Sequence, residues 1–146
     1  MGRQLRIDSD EERVVVLSAA NLKAIARARL ADTDALLKAG RFDGSSYLCG
    51  YVVEMALKAR ICKTLKWPGF PDKRSEFEGL QSFKTHDLDV LLRLSGREQY
   101  TKANLFPEWT IVSQWNPEAR YQAVGTVAAA TAQNMISAAQ TILAKL

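Results

Sequence analysis

Gly44-Ser45-Ser46-Tyr47-Leu48-Cys49-Gly50-Tyr51-Val52-Val53-Glu54-Met55-Ala56-Leu57-Lys58-Ala59-Arg60 is the stretch whose reading decides the fold. Leu48, Val52, Met55, Ala59 and Cys62 recur at four-three-four-three spacing, which predicts one apolar face of a helix from about Gly44 to Leu65. Glu54 stands four residues before Lys58, the favourable order for an ion pair along a helix, worth about 0.3–0.5 kcal/mol. Trp67-Pro68-Gly69-Phe70-Pro71 then forbids helix, because proline removes a backbone donor and restricts the residue before it.

Upstream, Ala19 to Ala39 is rich in Ala and Leu, with Leu22, Ala26, Leu30 and Leu37 on one stripe and Gly40 placed to stop the helix. Residues 1–8 are polar and read as a loose end, and Ser9-Asp10-Glu11-Glu12 fits a capping box. Val14-Val15-Val16-Leu17 is β-prone by itself, so residues 10–17 read either way. Downstream, Thr85 is placed to cap a short helix from His86 to Leu94, closed by Ser95-Gly96. A further helical stretch is expected from Arg97 to Leu105. Trp109, Ile111, Val112 and Trp115 fit either a helical turn or an ordered apolar loop, and Pro117 suits the first turn of a helix carrying Arg120 and Tyr121. The last helix, Thr126 to Lys145, puts Ala128, Ala132, Met135, Ala139, Ile142 and Leu146 on one stripe. Helical periods and short connections predict an all-α, antiparallel up-and-down bundle of four main helices plus short extra helices, in one domain over 1–146.

Composition narrows the classes. A chain that is 47% apolar and 25% charged can bury one core and is neither disordered nor supercharged. The net charge of +4 permits an acidic partner without demanding one. Cys49 and Cys62 fall in one expected helix about 20 Å apart, so they cannot pair with each other. With a single histidine, a Cys/His zinc site is not expected, and no cofactor is read from the chain. No apolar run approaches about 20 residues and the N-terminus lacks the apolar core of a leader, so the expected location is the cytoplasm.

Glu54-Met55-Ala56-Leu57-Lys58-Ala59, the broken basic loop and Thr85-His86-Asp87-Leu88 together resemble the HEPN family, small helical bundles that often pair with minimal nucleotidyltransferases or act as RNA-cutting toxins. The resemblance covers roughly residues 18 to 146. Catalytic members carry Arg, four to six residues, then His. That pattern is absent: residues 125–127, downstream of Arg120, are Gly, Thr and Val, and residues 79–81, upstream of the sole histidine His86, are Gly, Leu and Gln. Arg120-Tyr121 resembles the Arg-Tyr that precedes the last helix in the non-catalytic branch.

The resemblance therefore implies a non-catalytic binding module, a homodimer contacting a nucleotide, an RNA or a partner minimal nucleotidyltransferase in a toxin–antitoxin-type system. Lys58, Arg60, His86 and Arg120 are the expected anion contacts, supported by Glu54, Asp87 and Tyr121. The alternatives are a toxin-like, metal-independent ribonuclease using His86 with a non-standard arginine, and a purely structural protein–protein interaction module. Each residue also has a plainer reading. His86 can belong to a helix-start motif, Arg120 can span two helices with Tyr121 packed on the core, and the cations from Lys58 to Arg74 can complement a helix C-terminus while Trp67 and Phe70 fold inward. The aromatics from Phe106 to Tyr121 can form a patch for a second copy or cover the open end of the bundle.

Overall fold

The computed structural model describes residues 17–146, and every regular element among them is helical. The helices are α1 (Ala19–Lys38), α2 (Phe42–Leu65), α3 (Leu88–Ser95), α4 (Glu98–Asn104), α5 (Phe106–Val112) and α6 (Ala129–Lys145). Short 3-10 turns occupy Arg74–Phe77, Gln81–Phe83 and Pro117–Tyr121. The chain is an all-α bundle. The expectations for residues 1–8, for the capping box at Ser9 to Glu12 and for Val14 to Val16 fall outside the described residues.

Ser18 starts α1 by accepting from the Asn21 amide at 3.2 Å. Gly40, with φ +76°, turns the chain at its far end. So short a connection makes α1 and α2 an antiparallel hairpin, and the Ser45 hydroxyl donates to the Thr33 carbonyl at 2.8 Å across it. The Cys49 thiol lies 3.6 Å from the Met135 carbonyl and Arg60 donates to the Leu146 carbonyl at 3.4 Å, so α6 runs alongside α2 in the same direction. Glu54 meets His86 and Thr64 donates to the Ser95 carbonyl at 2.6 Å, so α3 also ascends beside α2. The α4–α5 leg descends: Trp109 Nε1 donates to Asp89 at 3.0 Å and Trp115 Nε1 to the Tyr47 carbonyl at 2.9 Å. Up-and-down alternation thus runs through α1, α2, α4–α5 and α6. The short α3 is an added ascending helix, reached over the non-helical return at residues 66–87.

Three local expectations need correction. The apolar stripe read for α2 is too narrow. Val52, Ala59 and Cys62 are buried, Leu48 and Met55 only half-buried, and Cys49, Val53, Ala56, Leu57 and Ile61 are buried on other sides, because α1, α3 and α6 all cover this central helix. The cap of the third helix is Asp87, whose carboxylate accepts from the Asp89 and Val90 amides at 3.0 and 3.2 Å. Thr85 instead accepts from the Asp87 amide, two residues too early. The last helix begins at Ala129, and Ala128 is exposed.

Trp67 and Phe70 fold inward. Trp67, Phe70, Phe77 and Phe83 pack on one another and on the core, and Lys58 Nζ sits 5.1 Å above the Phe70 ring. Trp109, Val112 and Trp115 are buried against the bundle, leaving Phe106 (61% exposed) and Tyr121 (73%) outside. Cys49 and Cys62 are free, buried thiols, and burial pushes the Cys49 thiol up to about 12. No described helix is long and apolar enough to cross a membrane.

Candidate functional site

The centre of α2 carries a buried carboxylate. Glu54 is 1% exposed, and its two oxygens face different partners. Oε2 accepts from Lys58 Nζ at 3.3 Å, one helical turn on, and Oε1 lies 2.6 Å from His86 Nδ1. A carboxylate only accepts hydrogen bonds, so this geometry places the imidazole proton on Nδ1 and leaves Nε2 with its lone pair in the neutral ring. The His86 side chain is 58% exposed, so a fixed imidazole reaches solvent from a buried anchor. The contact joins residues 32 apart in sequence and ties the end of the return segment to α2.

His86 stands between two clefts. On one side lies a cleft of roughly 590 Å³ bordered by Tyr51, His86, Trp115 and Arg120. Its acidic groups are occupied: Asp87 accepts from α3 amides, Asp89 accepts from Trp109, and Glu118 lies 3.7 Å from Arg120. Arg120 donates to the Pro117 carbonyl at 3.0 Å and stacks over Tyr121, its guanidinium 4.6 Å from the ring centre. On the other side lies a cleft of roughly 410 Å³, floored by Leu22, Met55, Phe70 and Phe83, with Lys58 and Lys84 at its edge.

Trp115 forms the wall of the first cleft, and Gly50 seats it. A Cβ at Gly50 would lie 2.0 Å from the indole, so only glycine lets the ring lie on the α2 backbone. The indole in turn packs edge-on against Tyr51, centroids 4.9 Å apart. The Tyr51 hydroxyl is 3.2 Å from that of Tyr47. This contact first, then burial and the Tyr47 and Glu54 charges, push the Tyr51 phenol up to about 12, against the pull of Arg120. Tyr51 therefore stays a neutral hydroxyl at the floor of the cleft across the physiological range.

Of the residues expected from sequence, Glu54, Lys58 and His86 come together, and Arg120 opens on the same cleft as His86. Asp87 borders that cleft but its carboxylate is spent on the α3 cap. Arg60 does not join them. Two residues past Lys58 it points about 200° away around α2, to the Leu146 carbonyl. Tyr121 lies outward under Arg120 rather than on the core. Tyr51 and Trp115 were missed. Tyr51 sits three residues before Glu54 on the same helix face, a spacing visible in the sequence. The signal for Trp115 was indirect: an isolated glycine inside a helix, which marks a close approach.

Among the described residues, no cluster of His, Cys, Asp and Glu is arranged to hold a metal ion. No family model matches the chain, and neither a curated protein nor a solved structure matches it.

Proposed function

We propose that the chain is a non-catalytic HEPN-like binding module whose His86–Arg120 cleft takes the phosphate of a nucleotide or RNA. The observation that carries this reading is the convergence of His86 and Arg120, from separate segments, on one cleft floored by a neutral Tyr51 hydroxyl. A guanidinium, an imidazole and a phenol are donors suited to phosphate oxygens. Lys58 acts indirectly in this reading, by balancing the carboxylate that holds His86. Arg60 plays no part in the cleft. The HEPN resemblance adds two assembly proposals, a homodimer and a minimal nucleotidyltransferase as partner in a toxin–antitoxin-type system. The exposed Phe106 ring supports a contact with a second copy.

The test is binding of ATP and short labelled RNAs at low and moderate salt, with cleavage read from the same samples. We expect binding without cleavage, weakened at least tenfold by Arg120→Glu with His86→Ala, an effect of about 1.4 kcal/mol or more. Unchanged binding in that variant sinks the assignment. One geometric fact favours a second reading, a metal-independent ribonuclease. Glu54 fixes His86 Nδ1 so that Nε2 can take a proton from a 2′-hydroxyl, with Arg120 as the non-standard arginine. RNA cleavage by the pure protein, lost in His86→Ala, would establish it in place of the first.

A further inference from the structure

The smaller of the two clefts beside His86, of roughly 410 Å³, has no part in the phosphate reading. It forms where the return segment folds back on the α1–α2 hairpin. Near the start of that segment the Phe70 amide donates to the Leu17 carbonyl at 2.9 Å, and near its end His86 is held by Glu54. The segment is thereby fixed as a wall. Leu17, Met55 and Phe83 pack on the core yet stay half-buried at the cleft. The described residues thus bring apolar surface together in a concave site without closing over it. An apolar lining with a few placed polar groups, in a volume between about 300 and 1,000 Å³, is the usual make-up of a small-molecule site.

The polar groups of the cleft say what kind of molecule fits it. Lys58 lines it with a side chain only 16% exposed. An ammonium has three N–H donors. Lys58 spends one on Glu54 Oε2 at 3.3 Å and lies 5.1 Å above the Phe70 ring, and among the described residues no second acceptor reaches it. A largely buried ammonium with donors to spare calls for an acceptor from outside. Lys84 and Thr85 border the same cleft, and the Thr85 hydroxyl, which accepts from the Asp87 amide, keeps its own proton to donate. Asp72 is the one carboxylate in the lining, and it repels an anion from its own edge. The acceptor therefore has one place to sit, at the edge formed by Lys58, Lys84 and Thr85. The rings below are tilted, Phe70 by 67° to Phe77 and by 70° to Phe83, so they offer no flat slot for a planar ring. A flexible apolar chain suits such a floor.

We propose that this cleft binds a medium-chain carboxylate, its apolar chain on Met55, Phe70 and Phe83 and its head on Lys58, Lys84 and Thr85. A carboxylate only accepts hydrogen bonds, so it answers all three donors at once. The site stands whether or not the phosphate reading of the other cleft is correct.

The experiment is calorimetric titration of the full-length chain with octanoate and with the neutral octanamide. Octanoate should bind about tenfold tighter than octanamide, or more. Lys58→Met should remove that preference. Because Lys58→Met also strands Glu54 and costs stability, Lys84→Glu on the exposed rim is the second variant: it should weaken octanoate about tenfold and leave octanamide unchanged. Met55→Phe fills the floor, so it should abolish binding of both compounds while Tm stays level or rises. ATP binding should survive Met55→Phe, whereas octanoate binding should survive Arg120→Glu, so failure here and failure of the phosphate reading are separate results. Equal affinity for octanoate and octanamide overturns the proposal, as does octanoate binding untouched by Met55→Phe. Absence of octanoate binding by the full-length chain also overturns it, and leaves the floor to be covered by protein, from this chain or a second copy.

Discussion

At the scale of single residues, Glu54 organises the site, and its energetics follow from its burial. Removing one partner of a buried pair leaves a charge without compensation, whereas replacing both with apolar groups can be nearly neutral. Lys58→Met should therefore cost about 3 kcal/mol. The double variant Glu54→Leu/Lys58→Met should recover most of that loss, while His86 is released. Urea denaturation checks the first effect, and the His86 ring signal in NMR checks the second. A double variant as unstable as the sum of the singles would show that His86, rather than Lys58, is the partner that matters. The Glu54–Lys58 contact was legible in the sequence because it is periodic and local. The Glu54–His86 contact was not, because it depends on where the long return segment re-enters the bundle. Arg60 was misassigned by its nearness in sequence, although two residues along a helix already put it on another side.

At the scale of elements, two glycines of α2 make opposite predictions. Gly44 has ordinary space for a Cβ, 3.7 Å from Leu36, and Gly44→Ala should stabilise the helix by about 0.5–1 kcal/mol. Gly50→Ala drives a methyl into the Trp115 indole and should cost about 3 kcal/mol. Trp115 would have to leave its seat, and with it one wall of the cleft. Thermal denaturation of both variants, with indole fluorescence of Gly50→Ala, checks the pair; equal effects at the two positions would refute the packing argument. The long helices α1, α2 and α6 were readable because period and stop signals agreed along them. The segment from Phe106 to Tyr121 was not, because it breaks into one short helix and one 3-10 turn, set by where Trp109 and Trp115 find partners.

At the scale of the whole molecule, Asp43 joins the two ends of the layout. Its carboxylate, in the first turn of α2, accepts from the Gly125 amide at 2.7 Å and the Val127 amide at 2.9 Å, just before α6 begins. Those two hydrogen bonds hold the Asp43 carboxyl below the usual aspartate range. Because the folded-state value lies below the unfolded one, the stabilisation is fully present above the ordinary aspartate value. It is lost as pH falls from there through the lowered value. Asp43→Ala should lower Tm at neutral pH, and the gap from wild type should close in acid. A gap that persists unchanged at low pH would count against this role. That the chain forms an all-α bundle was legible from its periods. The parallel seating of α6 on α2 follows from the up-and-down alternation those periods predicted, and the Cys49–Met135, Arg60–Leu146 and Asp43 contacts hold it.

The parallel seating of α6 on α2 has a consequence for a growing chain. The contacts of Cys49 with Met135 and of Arg60 with Leu146 each span 86 residues, whereas the α1–α2 hairpin closes over a connection of a few residues. Local pairs form early, and pairs at long separation wait for their partner to be made. During synthesis the hairpin can form as soon as it leaves the ribosome, but the α2 surface that will meet α6 stays uncovered until α6 has emerged. A nascent chain stalled before α6 would leave that apolar surface exposed.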